Sequence, residues 1–146
     1  MRELSKIMVF GTFDIFHPGH ASFFKQAKSL AKNPFLIVSI ARDVNVKKIK
    51  GKKPLNSQKI RKNNVEKALK QFLNLPHKVV LGSRDNYISH ILKEKPGIIA
   101  LGYDQKAYTK NLAALLKQAG LGVKVRRLKP FKPNMYKSSL FKKKVV

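Results

Sequence analysis

The sequence has no cysteine, which excludes disulfides, thiolate metal sites and cysteine nucleophiles. It also lacks an apolar run near the N-terminus as long as a signal peptide or a membrane span. We therefore expect a cytoplasmic protein. The 146 residues, 43% of them hydrophobic, are enough to bury one core, and a single domain over residues 1–146 is predicted.

Acidic residues are scarce as well: the chain carries 7 Asp and Glu against 32 Lys and Arg, a formal net charge of +25. A field of this sign attracts anions, which predicts nucleotides and, less selectively, nucleic acid and other polyanions as partners. A solvated surface adapted to unusual intracellular salt, or a biased genome, explains the same composition. The charge alone therefore identifies no substrate.

Apolar, β-branched runs alternate with segments of helical spacing along the chain. The runs predict five strands, at residues 7–10, 35–41, 79–81, 98–101 and 123–125. The patterns between them predict helices at residues 18–31, 57–72, 86–93 and 108–119, and a short final helix at 137–145. Residues 45–56 are polar and lysine-rich and include Gly51 and Pro54, which predicts a loop. This alternation predicts an α/β fold, a Rossmann-like doubly wound domain with a five-stranded parallel sheet covered on both faces.

One decapeptide carries most of the functional signal: Gly11-Thr12-Phe13-Asp14-Ile15-Phe16-His17-Pro18-Gly19-His20. It follows the first predicted strand and opens the first predicted helix. Such a turn aims backbone N–H groups and the positive end of the helix dipole at one point, where an anion is stabilised. His17 and His20 are three residues apart around Pro18, so both rings are expected on one face of the first helical turn. Gly11 and Gly19 are expected to let a ligand approach the backbone. The decapeptide indicates a nucleotide-phosphate site.

Two other interpretations of the histidines stay open. The rings could simply cap the helix, or they could be ligands of a zinc ion. Zinc needs a third protein ligand and usually an orienting carboxylate, for which Asp14 is the nearby candidate. The sequence shows no complete ligand set, and we assign no metal-binding residue.

Three segments are expected to meet at one crevice, because ligands of such sheets bind outside the carboxyl ends of the strands, near the point where strand order reverses. These segments are the decapeptide, the loop that begins at Arg42, and Gly102-Tyr103-Asp104-Gln105 after the fourth predicted strand.

The decapeptide resembles the signature of the nucleotidyltransferase superfamily with the His-x-Gly-His motif, which includes cytidylyltransferases and several cofactor adenylyltransferases. Further blocks resemble, in order and spacing, its archaeal FAD synthase branch. They are Ser39-Ile40-Ala41-Arg42-Asp43, residues 46–54, Arg61, Leu101-Gly102-Tyr103-Asp104-Gln105 and Tyr136-Lys137-Ser138-Ser139. These blocks span nearly the whole chain, and the resemblance implies the superfamily's fold.

The resemblance assigns the catalytic work to four residues. His17 and His20 would bind the nucleoside triphosphate and stabilise the transition state. Lys47 is the best match to the family's lysine, although four neighbouring lysines compete with it. Arg61 matches an arginine that supports the phosphates or the loop itself.

Nucleotide binding falls to a larger set under the same resemblance. Besides the two histidines, it comprises Gly11, Thr12, Phe13 and Asp14 in the decapeptide, Gly102 and Asp104 beside the nucleobase and ribose, and Ser138 and Ser139 at the start of the last helix, as phosphate ligands.

The activity implied is transfer of AMP from ATP to FMN, giving FAD and pyrophosphate, with Mg²⁺ accompanying the triphosphate. A homodimer is the family-level expectation. Two alternatives stay open: a cytidylyltransferase acting on CTP and glycerol 3-phosphate or a related phosphorylated alcohol, and a basic nucleic-acid-binding protein on a degenerate nucleotidyltransferase scaffold. The intact histidine pair and the lack of a basic-aromatic platform count against the last of these.

Overall fold

A computed structural model describes residues 3–106 and 110–130. Its strands are β1 (Ser5–Gly11), β2 (Pro34–Ile40), β3 (His77–Leu81), β4 (Ile98–Leu101) and β5 (Lys124–Arg127). All neighbouring strands pair in parallel, in the order β3-β2-β1-β4-β5. The five-stranded parallel sheet expected from the apolar runs is confirmed.

Helices cover both faces of this sheet. They are α1 (Pro18–Lys28), α2 (Asp43–Lys50), α3 (Gln58–Phe72), α4 (Tyr87–Glu94) and α5 (Leu112–Gln118). Within the described residues, none of them combines the length and apolar character needed to cross a bilayer.

Alternate residues of β1 point to two separate apolar clusters, as the period of a strand requires. Ile7 packs in the cluster that contains Phe24 of α1, whereas Met8 packs in the cluster that contains Ile91 of α4 and Leu116 of α5. These side chains are fully or almost fully buried, and each such burial contributes about 1.5–3 kcal/mol. The doubly wound architecture is therefore confirmed.

The loop predicted at residues 45–56 is wrong over its first half, where the chain forms α2. Val46 of this helix is buried, and Gly51 ends it in the left-handed conformation, with its N–H donating to the carbonyl oxygen of Lys47 at 2.8 Å. The density of lysines hid this short helix in the sequence, because a single buried residue in eight gives no helical periodicity. Only residues 51–57 connect α2 to α3.

Other predicted bounds moved or fall outside the described residues. Helix α1 ends at Lys28, three residues before its predicted end. Helix α5 begins at Leu112, and the predicted start of that helix at Tyr108 lies outside the described residues, as does the predicted helix at 137–145.

The sheet order places β4 beside β1, opposite β2. After β1 the chain enters α1 on one face of the sheet, and after β4 it leads to α5 on the other face. The connections therefore diverge above the carboxyl ends of β1 and β4, and a doubly wound sheet binds its ligand at this switch point.

Candidate active site

The turn after β1 is built around an aromatic ring. A Cβ atom on Gly11 would lie only 2.5 Å from Cε2 and Cζ of Phe13, so only glycine leaves room at this position for the Phe13 ring. Phe13 is buried, has a positive φ of 50° and packs 5.3 Å from Phe24 between ring centroids. The space into which a Cβ of Gly11 would project is therefore filled by Phe13, and nucleotide binding at Gly11 stays a prediction.

His17 and His20 close the N-terminus of α1 with their rings. His17 is the N-cap residue, and its Nδ1 accepts from the N–H of Gly19 at 3.1 Å. Nδ1 of His20 accepts in turn from the N–H of His17 at 3.3 Å. The two rings stack with centroids 3.8 Å apart and planes inclined by 24°. The histidines therefore cap the helix, and the N–H of Gly19 donates to an imidazole. Capping uses only Nδ1 of each ring, so phosphate binding through Nε2 stays a prediction.

Capping also determines where the ring protons lie. Because both Nδ1 atoms accept from backbone N–H groups, the proton of each neutral ring is on Nε2. Burial lowers the pKa of His17. For His20, burial first, and then the positive charges of His17 and Lys50, lower the pKa to about 3. Both imidazoles are therefore neutral N–H donors at pH 7.

Two phenylalanine rings hold the second imidazole in place. Phe13 meets His20 edge-on, with centroids 5.1 Å apart, and Phe16 lies 5.5 Å from it. Phe16 stacks in turn on Phe24 of α1 at 5.9 Å. These apolar neighbours remove water from His20, which is the physical origin of its low pKa.

Arg61 lies in α3 with no exposed surface. Its guanidinium donates to the carbonyl oxygens of Asn56 at 3.0 Å and Thr12 at 2.8 Å, and to Oδ1 of Asp43 at 2.7 Å. Of the two roles implied by the resemblance, these contacts fit support of the loop. Arg61 joins the decapeptide to the start of α2 and to the segment before α3. Its part in catalysis stays a prediction.

Asp14 also anchors the segment before α3. Its buried carboxylate accepts from the N–H groups of Leu55 at 2.7 Å and Asn56 at 2.8 Å, and the side-chain amide of Asn56 donates to the Asp14 carbonyl oxygen at 2.7 Å. The part of the chain that the structure describes contains no group of three or more His, Asp or Glu side chains that could hold a metal ion. The contacts of Asp14 indicate loop anchoring.

The lysine run lies on α2 and the segment after it. Lys47 is exposed on α2, whereas Lys50, one turn later, is the lysine whose charge acts on His20. The sequence did not single out Lys50 among its neighbours. A helix ending at Gly51 would not have separated it, because Lys47, Lys48 and Lys50 all lie in the last turn of α2.

The segment after β4 is tied to the end of β1 by a side chain of its own. The N–H of Gly102 donates to Oε1 of Gln105 at 2.7 Å, and Nε2 of Gln105 donates to the carbonyl oxygen of Phe10 in β1 at 2.6 Å. Asp104 is exposed in this turn. The three segments expected to converge do so through these contacts and those of Arg61, while Ser138 and Ser139 lie outside the described residues.

The family model described as cytidylyltransferase-like matches residues 8–144. The chain belongs to the cytidylyltransferase-like family. This match includes the decapeptide with both histidines, the lysine run and the five strands of the sheet. The first three residues of β1 precede it.

The chain is also similar to two curated proteins named FAD synthase and to one solved structure. The chain is 43% identical over 127 residues to the FAD synthase of Korarchaeum cryptofilum, covering 86% of this chain and 82% of the relative. It is 42% identical over 125 residues to the FAD synthase of Methanosarcina mazei, covering 86% and 77%. A solved structure, the lipopolysaccharide core biosynthesis protein from Thermoplasma volcanium, superposes with a TM-score of 0.77 at 28% identity, covering 89% of this chain and all of that one.

Proposed function

We propose that this protein is an FMN adenylyltransferase, which transfers AMP from ATP to FMN and releases FAD and pyrophosphate. The observation that carries the proposal is the histidine pair, held by the backbone as neutral Nε2–H donors at the switch point of the sheet. The relatives named FAD synthase, aligned over most of their length, support these substrates.

The reaction is an in-line displacement. A phosphate oxygen of FMN attacks the α-phosphorus of ATP, a new P–O bond forms, and the bond to the leaving pyrophosphate breaks. Negative charge builds up on the non-bridging and leaving oxygens, so fixed donors are the main contribution of the protein. The acceptor phosphate is already ionised at neutral pH and needs no general base.

Each donor has a distinct place in this scheme. His17 and His20 donate through Nε2–H to oxygens of the triphosphate, and the positive end of α1 adds its dipole. Lys50 supplies positive charge beside His20, and Lys47 reaches the phosphates from the exposed side of α2. Neutral rings suit this role, since a proton on Nδ1 would break the caps that orient them.

We further propose that Mg²⁺ enters with the triphosphate. The cytidylyltransferase-like family typically uses a divalent metal, yet the described residues offer no ligand cluster and Asp14 already accepts two backbone N–H groups. Triphosphate oxygens and water would therefore supply the ligands, as is common for this ion. The steps assigned to this chain's own side chains do not depend on that coordination.

A substrate matrix tests the proposal. Purified protein is incubated with ATP or CTP, each with FMN or glycerol 3-phosphate, and pyrophosphate and FAD are measured. We expect FAD and equimolar pyrophosphate from ATP and FMN, and a large loss of both in the His20→Ala variant. Activity confined to CTP and glycerol 3-phosphate would replace the proposed substrates. No pyrophosphate from any pair, with salt-dependent retention of DNA, would instead favour a nucleic-acid-binding protein.

A further inference from the structure

We propose that Gln105 and Arg127 form a brace that positions the turn at residues 102–105 beside the bound nucleotide, at the switch point of the sheet. Neither side chain contacts the substrate in this proposal. The brace is defined by these two side chains and the turn at residues 102–105. The inference rests on the proposed function for its substrate, a nucleoside triphosphate. Its basis in the fold is independent of that function.

Gln105 acts where the connections after β1 and β4 diverge. The backbone register of these strands runs from Ile7 opposite Ile98 to Val9 opposite Ala100. Beyond this register, Oε1 of Gln105 accepts a hydrogen bond from the N–H of Gly102 at 2.7 Å. Nε2 of the same side chain donates to the Phe10 carbonyl oxygen at 2.6 Å. One side chain thus ties the end of β4 to the end of β1 at the carboxyl ends of the strands.

Arg127, the last residue of β5, holds the same turn from the other side. Its Nη1 lies 2.8 Å from the carbonyl oxygens of both Gly102 and Gln105. The N–H of Gln105 also donates to the Gly102 carbonyl oxygen at 3.2 Å. The two ends of the turn are therefore fixed to one guanidinium, and the turn cannot move without breaking several hydrogen bonds.

Gly102 completes the brace by making room for it. A Cβ atom at this position would lie 3.3 Å from Cγ of Gln105 and 3.5 Å from its Cδ, so a larger residue would press on the bridging side chain. The glycine admits a protein side chain, as Gly11 does for Phe13. Asp104, between the braced residues, is exposed toward solvent, and its placement depends on the brace.

Arg126 provides a matched control one residue away. It carries the same charge and is also exposed, and among residues 3–106 and 110–130 its side chain donates only to the carbonyl oxygen of its neighbour Val125, at 3.3 Å. Substituting either arginine by methionine removes one positive charge from β5. Only the change at Arg127 removes contacts to the turn, so a difference between the two variants cannot come from net charge.

The experiment compares Arg127→Met, Arg126→Met and Gln105→Met. Binding of α,β-methylene-ATP is measured by calorimetry, and KM and kcat for ATP by FAD formation. We expect Arg127→Met and Gln105→Met to raise Kd and KM about tenfold, with a smaller change in kcat, because misplaced binding groups cost affinity and orientation. Arg126→Met should stay within about twofold, and the Arg127→Met, Gln105→Met double variant should resemble either single variant.

The outcomes separate the brace from the proposed function. Equal Kd and KM for the two arginine variants overturn the brace even if wild-type protein makes FAD. Nucleotide binding without FAD formation overturns the proposed function, while the Kd comparison still decides on the brace. A wild-type chain that binds no nucleoside triphosphate overturns both. Arg127→Lys, which keeps one donor, replaces Arg127→Met if circular dichroism shows that the latter is unfolded, and it should fall between wild type and Gln105→Met.

Discussion

The two edges of the sheet are both basic but are built differently. At the amino edge, Lys6, Lys95 and Lys124 line an open groove of about 450 Å³ whose other lining residues are small or apolar. At the carboxyl edge, buried polar groups such as Asp14 and Arg61 are each fixed by several hydrogen bonds. A net charge of +25 attracts anions to both edges. The carboxyl edge holds these polar groups in one geometry, and stabilisation of a transition state requires such preorganisation.

Removing a fixed donor should have the largest effect. His20→Ala is expected to lower kcat by about 100-fold or more, the scale of losing one transition-state donor. Lys6→Met at the amino edge should stay within about twofold, since mobile surface charge contributes little to a fixed site. The measurement is FAD formation at saturating ATP and FMN. His20→Asn distinguishes catalysis from capping, because asparagine restores an acceptor for the His17 N–H without restoring the ring.

If capping alone explained His20, His20→Asn would regain full activity. Should His20→Ala retain activity within about threefold of wild type while folded, the histidine has no part in the chemistry and the contrast between the two edges is lost.

Gly11 at the carboxyl edge and Gly97 at the amino edge allow the two edges to be compared through side-chain packing. Gly11→Ala forces a Cβ into the Phe13 ring, and such overpacking costs about 1–3 kcal/mol of stability. Because Phe13 supports His20, we also expect activity to fall about tenfold, the direction that misplacement of a catalytic group predicts. Gly97→Ala at the amino edge meets only the Lys6 carbonyl oxygen at 3.9 Å and should change neither property. Thermal unfolding and FAD formation are measured for both variants, and equal effects would show that the Phe13 contact is unimportant.

Much of the fold was predictable because it depends on patterns that are local in the chain. Apolar runs identified all five strands, and the alternation with helices identified the parallel sheet. Helix α2 was missed because only Val46 among its residues is buried, so the hydrophobic signal was too short. Bounds shifted where ends depend on capping, as at Lys28.

The site was only half predictable, since residue type does not reveal direction. The sequence identified both histidines but not that their Nδ1 atoms face the backbone. It identified Arg61 without showing that its guanidinium donates to Asn56, Thr12 and Asp43 of the protein itself. Gly11 and Gly102 were expected to serve a ligand, whereas each accommodates a side chain from a residue two or three positions later. The sequence placed Gln105 in the segment after the fourth strand but did not reveal its bridging role, and it did not identify Arg127, because their contacts join strands that are distant in the chain.

The smallest expected effect concerns protonation. The pKa of His20 is lowered from 6.5 to about 3 on folding, so between these values the unfolded chain binds more protons than the folded one. Stability from this residue is therefore complete above about pH 6.5 and is lost as the pH falls toward 3. We expect wild type to lose more stability than His20→Asn between about pH 7.5 and about pH 5 in urea unfolding. The difference between wild type and Lys6→Met should stay constant, because no histidine lines the amino-edge groove. A His20 ring signal that titrates near pH 6.5 in NMR would show that the imidazole is hydrated and mobile, and the fixed geometry that separates the two edges would then be absent.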